Sequence, residues 1–295
     1  MLDYETWDVF TQHRFAGNPL AVVRGADGLS AAQMLVLARE FNLSETLFVM
    51  APRDPAHRAR VRIFFPTAEI PFAGHPTIGC AISLSGLAAP GPDAEVRLVL
   101  EEEAGLVPVV VTRSAGQVRA EFTAPVLPFA APGQADPALC RAALGVAGLG
   151  TPGHPAPAIW QGGPRFLYIP LPDPDSLAAA RPCEPHWSAL MQAAGVDSAW
   201  CYVRVGAGYR ARMFSPGAGI PEDPATGSAS AIFAAELAAR GLLAEGETAI
   251  GIEQGVEMGR PSRIAVTAVM RGGVLQAVRV AGSAVAVATG RIARP

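Results

Sequence analysis

The chain writes one short pattern twice, about 150 residues apart, and that echo limits the possible folds more than any other feature. Pro71-Phe72-Ala73-Gly74-His75-Pro76-Thr77-Ile78-Gly79 is answered by Pro221-Glu222-Asp223-Pro224-Ala225-Thr226-Gly227-Ser228. Laying His75-Pro76 on Asp223-Pro224 gives an offset of 148 positions. A similar lead-in precedes each copy, Arg62-Ile63-Phe64-Phe65-Pro66 and Arg212-Met213-Phe214-Ser215-Pro216. Further matches follow in the same order with a slowly drifting offset. Asn18–Val23 matches Pro164–Ile169, Leu100-Glu101 matches Ile252-Glu253, and Gly116–Phe122 loosely matches Gly273–Arg279. A repeat of this length is domain-sized, not a solenoid unit. It predicts an internal duplication: an N-terminal domain over 1–125, a C-terminal one over 126–281, and a terminal strand over 282–295.

Within each half the pattern is mostly strand, with one long apolar helix. Ser30 is a helix cap, Met34, Leu37, Ala38 and Phe41 form an apolar stripe, and Asn42 ends the helix. The segment after Pro76 and the segment after Pro224 are apolar nearly all round, the signature of a helix wrapped on every side. In both, the polar residue before proline is the expected N-cap, with proline at the first helical position. Short strand runs follow at 46–50, 61–65, 96–100, 106–112 and 118–122, and a similar series occupies the second half. The stretch 124–163, rich in Pro, Gly and Ala, holds the expected linker. The fold class is therefore α+β, two similar domains, each a curled barrel-like sheet around a central helix. No GxGxxG follows a strand and no GxxxxGK[ST] occurs, so nucleotide-binding fingerprints are missing.

Half of the 295 residues are hydrophobic, 17% are charged and the net charge is −3. That supports two good cores and gives no electrostatic case for nucleic acid or an anionic membrane. The start lacks a signal peptide's basic and apolar regions, and no apolar run reaches spanning length, so a cytoplasmic location is expected. Cys80, Cys140, Cys183 and Cys201 are too scattered for a zinc site or a disulfide framework and are expected to be buried, inert thiols.

Two helix starts that face one cleft would offer free backbone N–H groups to an anion. His75 is then either an ordinary neighbour of a cap or an acid/base group in the cleft. Asp223, at the matching point, is either a cap or its partner. Glu45, where a helix gives way to a strand, is either a solvated carboxylate or a proton shuttle walled in by Leu43, Leu47 and Phe48. Gly74 and Gly227 would let substrate approach the backbone. Ser228 could donate its amide or hydroxyl, or be only a small packing residue. Arg260 is an anion contact or part of a turn. His13, His57, His154 and His186 are expected at the surface.

Asp8-Val9-Phe10-Thr11, Phe15–Val23, Asn42-Leu43-Ser44-Glu45-Thr46, Pro71–Thr77, Glu222–Ser228 and Glu253–Ser262 together resemble the PhzF-like isomerases of phenazine biosynthesis, in family order and across nearly the whole chain. The resemblance implies the diaminopimelate-epimerase fold, with the active site between the domains and the final strand crossing back to the first. It implies that Glu45 carries the proton between carbons, with His75 and Asp223 as its catalytic partners. Gly74, Gly227 and Ser228 would receive a substrate carboxylate. It further implies a small-molecule carboxylate substrate such as trans-2,3-dihydro-3-hydroxyanthranilate, no cofactor, no metal, and often a homodimer. Racemases and epimerases of this fold use paired cysteines at the helix starts, and this chain has none there. The alternatives are an epimerase or racemase of another small acid, or a non-catalytic carboxylate-binding protein on the same scaffold.

Overall fold

The computed structural model describes residues 1–149 and 154–295. Its first half runs β1 (Leu2–Val9), β2 (Asn18–Val23), α1 (Ala31–Phe41), β3 (Glu45–Met50), β4 (Ala59–Phe64), β5 (Glu69–Ile70), α2 (Gly74–Ser85), β6 (Ala94–Glu102), β7 (Gly105–Ser114) and β8 (Gln117–Thr123). Its second runs β9 (Phe129–Ala130), α3 (Pro137–Leu144), β10 (Ala158–Gln161), β11 (Arg165–Pro170), α4 (Pro174–Ala179), α5 (His186–Ala194), β12 (Ala199–Val205), β13 (Gly208–Ser215), β14 (Ile220–Asp223), α6 (Gly227–Ala239), β15 (Gly246–Gln254), β16 (Ser262–Arg271) and β17 (Val274–Ile292).

Both halves follow one pairing order. β2 lies parallel to β3, β3 antiparallel to β4, and β4 parallel to β6, which continues through β7 and β8. β11, β12, β13, β15 and β16 repeat that order, and β16 continues into β17. The long last strand serves both halves. Its early part pairs with β16, Arg279–Ser283 pairs with β8, and Ala284–Ile292 pairs with β1. Because β1 also pairs with β2, the first sheet closes into a barrel and has no free edge. The expected border at 281/282 falls inside β17.

Each helix predicted to be enclosed is enclosed. Ile78, Cys80, Ala81, Ile82 and Leu84 of α2 are buried, as are Ile232, Phe233, Ala234 and Leu237 of α6. Phe233 is ringed by Tyr202, Trp200 and Tyr209 at centroid distances of 4.6, 4.8 and 4.8 Å. α1 lies outside, its Ser30–Gln33 capping box and left-handed Asn42 marking its ends as the sequence suggests. Among the described residues no helix is long and apolar enough to cross a membrane. Two expectations change. Cys183 is only half-buried, while Cys80, Cys140 and Cys201 are buried and all four are free. His57 and His154 are also half-buried. His57 pairs with Glu101 at 2.9 Å.

Candidate active site

The helix starts are not where proline places them in the sequence. α2 begins at Gly74 with Ala73 as N-cap, and α6 begins at Gly227 with Thr226 as N-cap, neither making a side-chain cap bond. Pro76 fits inside the first turn because that turn's N–H groups have no helical partner to lose. His75 is therefore the second helical residue, not a cap. Asp223 closes β14, four residues before its helix, because its carboxylate turns inward instead of capping. The structural counterparts are thus Gly74 with Gly227 and His75 with Ser228.

The two starts meet backbone to backbone. A Cβ built on Gly74 would fall 2.9 Å from the Gly227 Cα and carbonyl carbon and 3.1 Å from the Ser228 nitrogen. One built on Gly227 would fall 3.1 Å from both the Gly74 Cα and the Phe10 ring. Glycine is required at both positions for this approach, not for an unusual φ. Gly74, Gly227 and Ser228 are brought together as expected, and the Ser228 side chain makes no hydrogen bond among the described residues. The amide groups of these first turns form a two-sided donor array.

Against this array stand Glu45, His75 and Asp223, exposed by 7, 2 and 4%. Glu45 is the first residue of β3, and its Oε2 lies 3.3 Å from His75 Nε2. The contact is off the hydrogen-bonding direction, so among the described residues both atoms lack a hydrogen-bond partner, as does Asn18 Oδ1. Sequence reasoning quoted Asn18 only as part of a motif, yet it is the hub. Its Nδ2 donates to Asp223 Oδ1 at 2.8 Å and to the Ala225 carbonyl at 2.9 Å, and lies 3.2 Å from His75 Nδ1. An N–H on Nδ1 would point at this donor nitrogen. The His75 hydrogen consequently belongs on Nε2, toward Glu45. Burial pushes His75 down to about 3, so the ring is neutral.

The two carboxylates differ in their surroundings. Burial, then the nearby Asp223, raises Glu45 well above the usual carboxylate range. Burial also raises Asp223, to about 6, but Thr226, Asn18 and Ser44 donate to it and restrain the shift. Asp223 is thus the better anion and Glu45 the group that more readily keeps a proton. Thr226 was also missed in the sequence. Its hydroxyl donates to Asp223 Oδ2 at 2.6 Å and accepts from Gln254 Nε2 at 2.9 Å. Arg260 does not reach the cleft. It braces the loop before Asn18 through the carbonyls of Ala16 and Gly17 and through Asp8 Oδ1 at 2.5 Å. An open groove of about 490 Å3, lined in part by Arg119, Arg210 and Arg263, contains none of the site residues. Among the described residues no three His, Cys, Asp or Glu side chains cluster as metal ligands would.

The halves are unlike where they matter. Glu45 stands three residues after the left-handed C-cap Asn42, and the residue three after the C-cap Gly195 is Ser198. Four residues before each helix start stand Ile70 and Asp223. The cleft therefore has one carboxylate from each half at non-equivalent places, with a histidine on one side only.

Known proteins agree with this architecture. The family model described as phenazine biosynthesis-like protein, PhzC-PhzF, matches residues 7–290. An uncharacterized isomerase of Mesorhizobium japonicum is 42% identical over 98% of both chains. The trans-2,3-dihydro-3-hydroxyanthranilate isomerase of Pseudomonas aeruginosa is 39% identical, again over 98% of both. The solved structure of a predicted epimerase from Pseudomonas aeruginosa superposes with a TM-score of 0.82 at 30% identity, over 99% of both chains. The chain is an isomerase belonging to the phenazine biosynthesis-like PhzC-PhzF family, with that family's epimerase-like fold.

Proposed function

We propose that this isomerase moves a proton within a small unsaturated carboxylate of the trans-2,3-dihydro-3-hydroxyanthranilate kind, using Glu45 as a single shuttle and no cofactor. The observation that carries the reading is the one-sided site: Glu45 has an unpartnered oxygen beside two opposed helix starts, and Ser198 stands at the equivalent place in the other half. A two-base racemase places matched proton-transfer groups on the two faces of one carbon, whereas Glu45 and Asp223 stand at non-equivalent places in the two halves. A shuttle that takes and returns the same proton needs only one.

In this mechanism the substrate carboxylate is held by the amides around Gly74, Gly227 and Ser228. Glu45, ionised, takes the proton from ring C3, and the C–H electron pair enters the conjugated system. The Glu45 acid then returns the proton to a distant ring carbon. The enol so formed becomes the ketone by ordinary tautomerisation, and nothing is oxidised or reduced. Burial makes the Glu45 carboxylate a stronger base than a solvated one. His75, through Nε2–H, and Asp223 orient the ring substituents, and Asn18 holds Asp223 and lies against the other side of the His75 ring.

The test is turnover of trans-2,3-dihydro-3-hydroxyanthranilate in deuterated water, followed by NMR, for wild type and Glu45→Gln. The expected result is turnover by wild type alone, with incomplete deuterium at the receiving carbon because the shuttle is shielded. Equal turnover by both proteins would sink the role of Glu45. Turnover by neither would move the substrate to another small acid.

A further inference from the structure

The mechanism leaves one buried carboxyl unused. Glu102 ends β6, is 7% exposed, and no cation among the described residues shifts it. Its Oε1 lies 2.7 Å from Thr77 Oγ1, and its Oε2 has no hydrogen-bond partner among the described residues. Thr77 Oγ1 is also 2.7 Å from the carbonyl of Ala73, the N-cap of α2. The hydroxyl has one hydrogen for two acceptors. If Glu102 were ionised, one of these short contacts would be oxygen against oxygen with nothing between. If Glu102 carries a proton, both are satisfied: Glu102 donates to Thr77, and Thr77 donates to Ala73.

The other half supplies an independent reason. β6 and β15 are each nine residues long, and Glu101 and Glu253 hold equivalent places against Arg60 and Arg210. The counterpart of Glu102 is therefore Gln254. Gln254 is neutral, fully buried, and both accepts and donates at its helix start. Its Oε1 accepts from the Thr226 amide, and its Nε2 donates to Thr226 Oγ1 and to the Asp223 carbonyl. The fold uses a neutral donor–acceptor under each helix start. An amide fills that place in one half and a carboxyl in the other.

We propose that Glu102 is a positioning residue that works as a neutral carboxylic acid, fixing through Thr77 the first turn of α2 on which Gly74 and His75 stand. Its surroundings match. Burial raises it to about 8, with Thr77 the one restraint. Facing it from α2 is the Cys80 thiol, itself pushed up by burial and by Glu102. Glu5 on β1 and Arg24 just after β2 act on that same thiol, and they are paired with each other at 3.0 Å. On its own strand Glu101 pairs with His57, and beyond the strand Glu103 pairs with Arg60. None of these cations contacts Glu102.

Activity enters the test through the isomerase reading above, so the deciding measurement does not use substrate. Thermal unfolding of wild type and Glu102→Gln is compared between about pH 5 and pH 9. A folded-state pKa raised above the unfolded value gives stability that is full near pH 4.5 and is lost as pH rises toward 8. The melting point of Glu102→Gln should therefore rise relative to wild type across that window and hold steady beyond it. Near neutral pH the carboxylic-acid infrared absorption of wild type should exceed that of Glu102→Gln by one carboxyl, with Glu45 contributing to both, a readout that survives if the variant is less stable. In turnover, Glu102→Gln should retain activity near pH 7, while wild type alone loses about tenfold per unit above pH 8. Parallel melting curves, or an unchanged infrared band, would overturn the proposal whatever the substrate proves to be.

Discussion

Gly74→Ala tests fold and site together. The added methyl carbon would stand 2.9 Å from two backbone atoms of Gly227 and 3.1 Å from the Ser228 nitrogen. Carbon atoms in contact prefer about 3.5 to 4.0 Å, so the two helix starts must part by roughly half an ångström or more. No flexible side chain can yield, because the obstructing atoms are main chain. Overpacking of this kind costs about 1 to 3 kcal/mol, or a melting-point loss of roughly 2 to 10 °C for a chain of this size. Turnover should fall further, about a hundredfold, because displacing a preorganised site by an ångström costs that much. Gly251→Ala is the control. Gly251 has open space around its Cβ position, so alanine there should leave stability within about 1 kcal/mol of wild type. Scanning calorimetry and steady-state turnover on the two variants decide the matter. If Gly74→Ala melts and turns over like Gly251→Ala, the helix starts do not meet as described.

Other outcomes follow from the same contacts. Asn18→Leu removes the donor to Asp223 Oδ1, leaving a buried acceptor unpaired, and should cost about 1 to 3 kcal/mol in chemical denaturation. The same variant should raise Asp223 above about 6 and move the acid limb of turnover to higher pH, since Glu45 and Asp223 must ionise for the proposed reaction. Because both carboxyls are raised in the folded state, the stability they contribute is full below about pH 4 and falls as pH rises through 6. Asp223→Asn should accordingly gain on wild type in melting point over that window. Alkylation of the native protein should label Cys183 and spare turnover, since burial raises the thiols of Cys80 and Cys201 and pushes that of Cys140 to about 12.

Much of this arrangement was legible in the sequence because it rests on periodicity and repetition. An apolar segment with no polar face must be enclosed, and α2 and α6 are. The drifting offset between the halves follows real correspondences, since Ala59 pairs with Leu100 as Tyr209 pairs with Ile252. Asn18 was not legible as a hub. Its partners lie 57 and 205 positions away in the chain, and only the fold, which sets Asp223 of the other half against the first barrel, brings them to one amide. Thr226 and Gln254 were hidden for the same reason: each acts through a buried side-chain bond that leaves no periodic trace.

The error over the helix starts is instructive because proline invited it. His75-Pro76 and Asp223-Pro224 look like matched caps, but proline is tolerated anywhere in a first turn, so it marks a start only to within a turn. Aligned by helix start, the halves pair Glu45 with Ser198, Ile70 with Asp223 and His75 with Ser228, and strand register pairs Glu102 with Gln254. At each of these pairs one half keeps an ionisable side chain and the other does not. The shared backbone supplies two opposed sets of amides, a symmetric holder suited to an anion. The side chains break that symmetry, leaving one carboxyl raised well above the usual range, one better anion and one neutral imidazole. A symmetric pair of bases would exchange a proton across two faces of one carbon. Under the proposed mechanism a single base beside fixed polar partners moves it from one carbon to another, and the substitutions between the halves are what would favour migration over inversion.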